Sequence, residues 1–314
     1  MTSFEMREHE AVAGGIAVRL TNTGKVLFPG DGITKGELIE HYGNLAGRML
    51  PYLRDRPIAM ARYPDGIDHQ RIFQKNPADY FPGWITSVEV GKQDGTLRHV
   101  VCDKAATLVY LANQACVELH AFLSRADSLN CPDQIVVDFD PPDDAGFGDA
   151  RRCSLWLRDL LAGELGLTCY VKTTGGKGLH VHVLLNRHAD FDAAREFARD
   201  AATVLAARHP DVVTVEQRKE ARGGRVYADV MRNGYAQTAV APYSVRARPG
   251  APVATPLHWE EVEDPGLTAH RFTLRTISAR LDETADPWAG MTRHRYDLAA
   301  ARRRLDGLLP SGSR

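Results

Sequence analysis

The run Ile135-Val-Val-Asp-Phe-Asp140 limits the possible folds more than any other segment. Its β-branched and aromatic residues favour a strand. Side chains at i and i+2 of a strand share a face. Asp138 and Asp140 therefore point together with Val136, while Ile135, Val137 and Phe139 face the other side. Two carboxylates at that spacing repel unless a cation lies between them or one holds a proton. Oxygen ligands suit Mg²⁺ or Mn²⁺. A second strand pattern, Arg225-Val-Tyr-Ala-Asp-Val-Met231, also carries an aspartate, Asp229, among apolar residues. Such a carboxylate is unfavourable without a partner. A third aspartate from a second strand would complete a two-metal site for phosphoryl or nucleotidyl transfer. The plainer alternative is a solvated acidic turn after a strand, and the second aspartate strand weighs against it.

Hydrophobic periodicity sets the frame around these strands. Thr34 is placed to cap a helix, with Glu37 as capping-box partner. Leu38, Ile39, Tyr42, Leu45 and Leu50 then recur at helical spacing until Pro51. Pro57–Arg62 reads as a strand, and 64–83 as an extended Pro/Gly/Asp-rich loop. Thr107–Leu123 reads as one helix with Leu108, Leu111, Ala115, Leu119 and Phe122 on a face, which puts His120 on that helix. Further helices are expected over 150–165 and 192–208. Further strands are expected over 169–172, 178–185, 212–216 and 225–231. Residues 1–14 read as a loose polar tail, and 291–314 as a basic helix, with Arg302-Arg303-Arg304, followed by a polar end. Interleaved strands and helices predict an α/β or α+β sheet protein.

Charge and cysteines narrow the class. The 39 Lys plus Arg against 40 Asp plus Glu exclude a uniformly basic nucleic-acid binder. The balance hides two opposed fields. Residues 132–150 hold six acids (Asp133, Asp138, Asp140, Asp143, Asp144, Asp149) and no Lys or Arg. Residues 210–250 hold seven bases against four acids. The five cysteines form no CxxC pair, so structural zinc is not expected and a reducing, intracellular setting is. Met1–Arg19 has no apolar segment of the signal-peptide kind. The most apolar stretch contains Asn113, Gln114, Glu118 and His120, too polar to span a bilayer.

Other segments suit phosphate chemistry. Thr173-Thr-Gly-Gly-Lys-Gly178 joins two expected strands, and its glycines would let backbone amides approach a phosphate beside Lys177. It is neither a Walker A motif nor a dinucleotide fingerprint, and a plain hairpin turn explains it as well. His180 and His182 share a strand face, where a polar role near phosphate is favoured over a transition-metal site. Arg218, Lys219, Arg222 and Arg225 cluster before Asp229, and Arg246 and Arg248 would share one side of an extended segment. Together these bases would line a channel for a polyanion.

In order along the chain, the pieces resemble the polymerase domain of bacterial ligase D, a member of the archaeo-eukaryotic primase superfamily. The resemblance rests on Leu20-Thr-Asn-Thr-Gly-Lys-Val-Leu-Phe-Pro29, Arg62-Tyr-Pro-Asp-Gly66, Phe73-Gln-Lys-Asn-Pro77 and Glu118-Leu-His120. It continues through Pro132–Pro141, Thr174–His180, Asp229-Val-Met-Arg-Asn233 and Thr238–Arg248. It implies a primase-like core over 15–290, with an RRM-like catalytic sheet and an N-terminal α/β lobe interlocked with it. It implies Asp138, Asp140 and Asp229 as ligands of two Mn²⁺ or Mg²⁺ ions. His120, Thr174, Gly175, Lys177, His180 and Arg246 match positions around an incoming NTP or dNTP. Asn22, Lys25 and Lys35 match a pocket for a downstream 5′-phosphate; Phe73 matches a residue near that strand, and Arg222 a template-positioning loop.

The implied activity is templated nucleotide addition, favouring ribonucleotides, at DNA breaks or gaps. Its implied setting is the bacterial cytoplasm at the nucleoid, with DNA, a Ku-type end-binding protein and a separate ATP-dependent ligase as partners and no membrane. Two departures stand out. Ile72 stands where the family has a stacking Phe, and Thr174 where it has Ser. The ligase KxDG motif is absent, so a stand-alone polymerase or an excised domain is expected. The rival readings are a metal-dependent nuclease or phosphoesterase, a catalytically idle DNA-end binder, and de novo priming.

Overall fold

The structure is a computed structural model and describes residues 3–143 and 146–310. It divides into two compact units, each drawn from three stretches of chain: 1–127, 238–254 and 272–283 in the first, and 128–237, 255–271 and 284–314 in the second.

The first unit is built on an antiparallel sheet. Its strand order is Thr238–Val240, Cys116–Phe122, Pro57–Arg62, Gly95–Val101, Ser87–Lys92, and Ile72–Gln74 also pairs with Pro57–Arg62. The helix Lys35–Leu53 starts at the expected capping box: the Glu37 amide donates to Thr34 Oγ1 at 3.2 Å, and the Thr34 amide to Glu37 Oε2 at 2.9 Å. Its stripe Leu38, Ile39, Tyr42, Leu45, Ala46, Met49 and Leu53 enters the core. Pro51 does not end this helix but sits in its last turn.

Two expectations fail here. The helix over Thr107–Leu123 is in fact a short buried helix, Ala105–Asn113, and then a strand, Cys116–Phe122. The chain reverses at Ala115, which takes a positive φ of 55°. Beyond that point Val117, Leu119 and Ala121 alternate with Glu118 and His120, a period of two rather than 3.6. His120 is thus a strand residue. Residues 1–14 are not a loose tail either. Phe4–Met6, Glu10–Ala13 and Ile16–Arg19 form a three-stranded antiparallel sheet with Ala11, Ala13 and Val18 in the core.

The second unit carries the aspartates. Its sheet runs Val213–Thr214, Val226–Asp229, Gln134–Asp140, Leu179–Leu185, Tyr170–Thr173, Pro256–Leu257, and Arg295–Tyr296 pairs in parallel with Leu179–Leu185. The helices Phe147–Arg158 and Phe191–Arg208 pack on it. The first was expected to run to Leu165; a π-helical turn, Asp159–Glu164, takes over after Arg158. The basic run lies in the helix Leu298–Asp306, where Arg302 is neutralised by Asp200 and Asp306, both at 2.7 Å. Asp144 and the last residues of the expected polar end, 311–314, lie outside the described residues. Among the described residues no helix is long and apolar enough to cross a membrane.

Candidate active site

Strand register assembles one row of charges. Asp138 lies opposite Asp229 on one neighbouring strand and opposite His180 on the other. His180 in turn lies opposite Lys172. Directly opposed residues of an antiparallel ladder share a face. Asp229, Asp138, His180 and Lys172 therefore form a line across four strands, with Asp140 two residues along from Asp138. Within the line, His180 Nε2 is 3.3 Å from Asp138 Oδ2. His182 instead meets Gln134 Oε1 at 3.0 Å through Nδ1. The opposite face is apolar: Ile135, Val137 and Phe139 oppose Val183, Val181 and Leu179.

Asp229 is partly buried in the row. Its carboxyl is pushed above the usual range, first by burial and then by the negative charges of Asp138 and Asp140. The Met231 amide, donating to its Oδ1 at 2.7 Å, and Arg232 oppose that shift only in part. A folded-state pKa above the unfolded one means the ionised form disfavours folding. Stability is therefore fullest below the unfolded pKa and declines as pH rises through the folded one. Asp229→Asn keeps an acceptor for Met231 and removes the repulsion. We expect it to add about 1 kcal/mol at neutral pH, about 2–4 °C in melting temperature, while losing activity. Melting curves with and without Mn²⁺ check this, because the cation should raise the wild-type midpoint far more than the variant's.

Basic side chains reach into the same place. Arg222, expected to serve a template loop, lies over the Tyr227 ring at 4.1 Å and brings Nη1 to 3.4 Å from Asp140 Oδ2. Arg232 Nε is 4.0 Å from Asp138 Oδ2. The acidic window is also weaker than its composition suggests. Asp133 is buried, and Asp149 pairs with Arg152. Among the described residues no three His, Cys, Asp or Glu side chains converge as a ready-made metal cage. The donor chemistry nevertheless fits a hard cation: three carboxylates share one sheet face, and their mutual repulsion is what a divalent ion would relieve. Arg232 and Arg222 lie where they would compete with such an ion for Asp138 and Asp140.

The turn Thr174–Gly178 follows the Lys172 strand and leads into the His180 strand. Thr174 Oγ1 organises it, accepting from the Gly176 and Gly178 amides at 3.1 and 3.3 Å and donating to Gly178 O at 3.1 Å. The Gly176 amide, expected to face phosphate, is thus turned inward. The Gly176 carbonyl meets His270 Nε2 at 2.6 Å, a second brace that no sequence signal announced. Gly175 has a positive φ of 61°, which glycine adopts without strain. Lys177 Nζ lies 3.4 Å from Pro142 O, on the segment leaving Asp140.

The first unit holds the remaining candidates. Glu118 is 4 % exposed and joins His120 Nε2 at 2.9 Å to Arg246 Nε at 3.0 Å. Phe73 meets the His120 ring edge-on at 5.8 Å, and the Arg71 guanidinium lies over the Phe73 ring at 5.4 Å. Arg248 does not extend beside Arg246, because its amide donates back to Arg246 O at 2.9 Å and turns the chain. Asn22, at a positive φ of 48°, opens a turn in which its carbonyl accepts from the Lys25 amide. The Lys25 carbonyl accepts from the Lys35 amide at 2.8 Å, at the start of the helix Lys35–Leu53. Burial and the nearby Lys25 charge lower the Lys35 ammonium pKa. Lys25 Nζ pairs with Asp65 at 3.0 Å. The Lys35 ammonium is buried, donating to Asn113 O at 3.1 Å and Thr21 Oγ1 at 3.3 Å, while Lys25 is the exposed cation of the pair.

Comparisons with known proteins give the family and the fold. The family described as "LigD, primase-polymerase domain" matches residues 34–288. The chain is 34% identical over 271 residues to the multifunctional non-homologous end joining protein LigD of Mycolicibacterium smegmatis, covering 86% of this chain and 35% of that protein. It is 31% identical over 281 residues to the bifunctional LigD of Bacillus subtilis, covering 89% of this chain and 45% of that protein. It therefore spans less than half the length of either relative. Among solved structures it is similar to the polymerase domain of Mycobacterium tuberculosis ligase D in complex with DNA, with a TM-score of 0.79 and 30% identity, over 93% of this chain and 99% of that one. The fold is thus archaeo-eukaryotic primase-like, and a polymerase domain implies use of a divalent metal. By sequence and fold alike, the chain belongs to the LigD primase-polymerase domain family, a family of nucleotidyltransferases.

Proposed function

We propose that this domain adds nucleotides to the 3′-OH of a templated DNA end or short gap, in end-joining or gap-filling repair. The observation that carries the reading is the placement of Asp138, Asp140 and Asp229 on one sheet face, next to the Thr174–Gly178 turn. The three carboxylates would hold divalent ions, Mn²⁺ or Mg²⁺. Ions bound there would acidify the 3′-OH and neutralise charge on the triphosphate and the leaving pyrophosphate. Lys177 would meet phosphate charge, with Thr174 and His270 holding the turn in shape for it. His180 would steady Asp138. His120 and Arg246 are assigned to the nucleotide, and Arg222 and Phe73 to DNA. A ribonucleotide preference, a Ku-type partner, a separate ATP-dependent ligase and a cytoplasmic, nucleoid-associated setting complete the proposal.

Asn22, Lys25 and Lys35 would hold a downstream 5′-phosphate. Lys25 can exchange exposed Asp65 for phosphate, because a surface ion pair is worth at most about 1 kcal/mol. Extension of a primer across a gapped duplex tests this, run with and without the 5′-phosphate, with rNTP against dNTP and Mn²⁺ against Mg²⁺. A phosphorylated gap should be filled more efficiently, by about tenfold for a contact worth about 1.4 kcal/mol. Lys25→Ala with Lys35→Ala should erase that advantage and flatten its salt dependence.

A further inference from the structure

We propose that Glu118 is a positioning residue, one buried carboxylate that fixes both Arg246 and His120 for their task at the nucleotide. The inference rests on the nucleotide reading of those two residues.

The geometry is local to the first unit. Glu118 and His120 are i and i+2 on the strand Cys116–Phe122, so both project from one face. Arg246 comes from a distant part of the chain, beyond the strand Thr238–Val240, in which Val240 lies opposite His120. Glu118 Oε1 accepts from Arg246 Nε and from the Ala247 amide, both at 3.0 Å. Glu118 Oε2 faces His120 Nε2 at 2.9 Å. Two oxygens thus tie two functional side chains and the Ala247 amide that follows Arg246.

The charge state makes the tie directional. Burial alone would raise the Glu118 carboxyl, but the His120 hydrogen bond, the Arg246 charge and the Ala247 amide together hold it well below the usual range. An ionised carboxylate only accepts hydrogen bonds. His120 must then carry its proton on Nε2, which fixes its tautomer. Gripping Arg246 at Nε sets the plane of its guanidinium. The terminal Nη pair is the edge whose geometry matches a phosphate. Glu118 itself is buried and needs no contact with substrate.

Glu118→Ala, Glu118→Gln, Arg246→Ala and the double variant Glu118→Ala/Arg246→Ala test the proposal in the full chain. The readouts are ATP binding with Mn²⁺ by calorimetry, primer-extension KM and kcat, and ¹⁵N NMR of the His120 imidazole. Glu118→Ala should weaken ATP binding and raise KM by about tenfold or more, as expected for a lost charged hydrogen bond, with a smaller change in kcat. The double variant should lose less than the product of the two single losses, because Arg246 carries part of the Glu118 effect. Glu118→Gln keeps an acceptor for Arg246 and Ala247 but turns an NH₂ toward His120. It should raise KM less than Glu118→Ala does, because only the His120 contact is lost, and move the His120 Nε2 resonance. Losses that multiply in the double variant, or an unmoved His120 resonance in Glu118→Gln, would overturn the role assigned to Glu118. Wild-type ATP affinity in Arg246→Ala would instead contradict the nucleotide reading, while the His120 resonance still reports on Glu118.

Discussion

Asp138→Ala is expected to reduce nucleotide addition by about 10³-fold or more, the equivalent of several kcal/mol of lost charge stabilisation in the transition state. The effect should exceed that of any other aspartate substitution, because Asp138 is the centre of the row. It has Asp229 on one side, His180 on the other, and Asp140 along the same strand. Fold and DNA affinity should survive. The side chain is removed from a face already lined by His180 and Arg232, and a basic surface that has lost a negative neighbour does not bind a polyanion less well. Single-turnover extension and a gel-shift titration on the same sample separate the two properties. Extension within tenfold of wild type would remove Asp138 from the reaction.

Gly178→Ala should be the most damaging small substitution, and it acts through the backbone. A Cβ on Gly178 would collide with the Phe139 carbonyl oxygen, and Pro141 is close behind. Neither is the far end of a flexible side chain, so the strand carrying Asp138 and Asp140 must move or the turn must open. Overpacking of this kind costs about 1–3 kcal/mol and sometimes more. We expect a lower melting temperature together with loss of extension. Gly148→Ala, in the helix Phe147–Arg158, is the control, because a Cβ there meets nothing within 4 Å. A stable and fully active Gly178→Ala would mean that the turn does not need its close approach to the aspartate strand.

Gly178 also shows how far the sequence could be read. Its place in Thr-Thr-Gly-Gly-Lys-Gly pointed to phosphate, but glycine is needed there because two backbones nearly touch. The start of the helix at Thr34 was legible because capping is a contact within four residues. The aspartate face was legible because strand alternation depends only on neighbours in sequence. Their partners were not. Arg232 beside Asp138, His270 on the Gly176 carbonyl and Arg246 on Glu118 are set by pairing across long stretches of chain. The single helix expected over 107–123 failed because nothing in Asn113-Gln-Ala-Cys116 marks a reversal, and alanine rarely supplies the left-handed turn that Ala115 makes. That one turn moved His120 from a helix to a strand and so made it the neighbour of Glu118. The three short strands near the start were masked by exposed acids, Glu5, Glu8 and Glu10, around few apolar residues.

The most direct test of the account is primer extension on a gapped duplex whose single template base is changed through all four identities, with a 5′-labelled primer and Mn²⁺. The primer should grow by the complementary nucleotide in each case, and Asp138→Ala, Asp140→Ala and Asp229→Ala should all fail to extend it. A primer that shortens, or one that grows without regard to the template base, would contradict it.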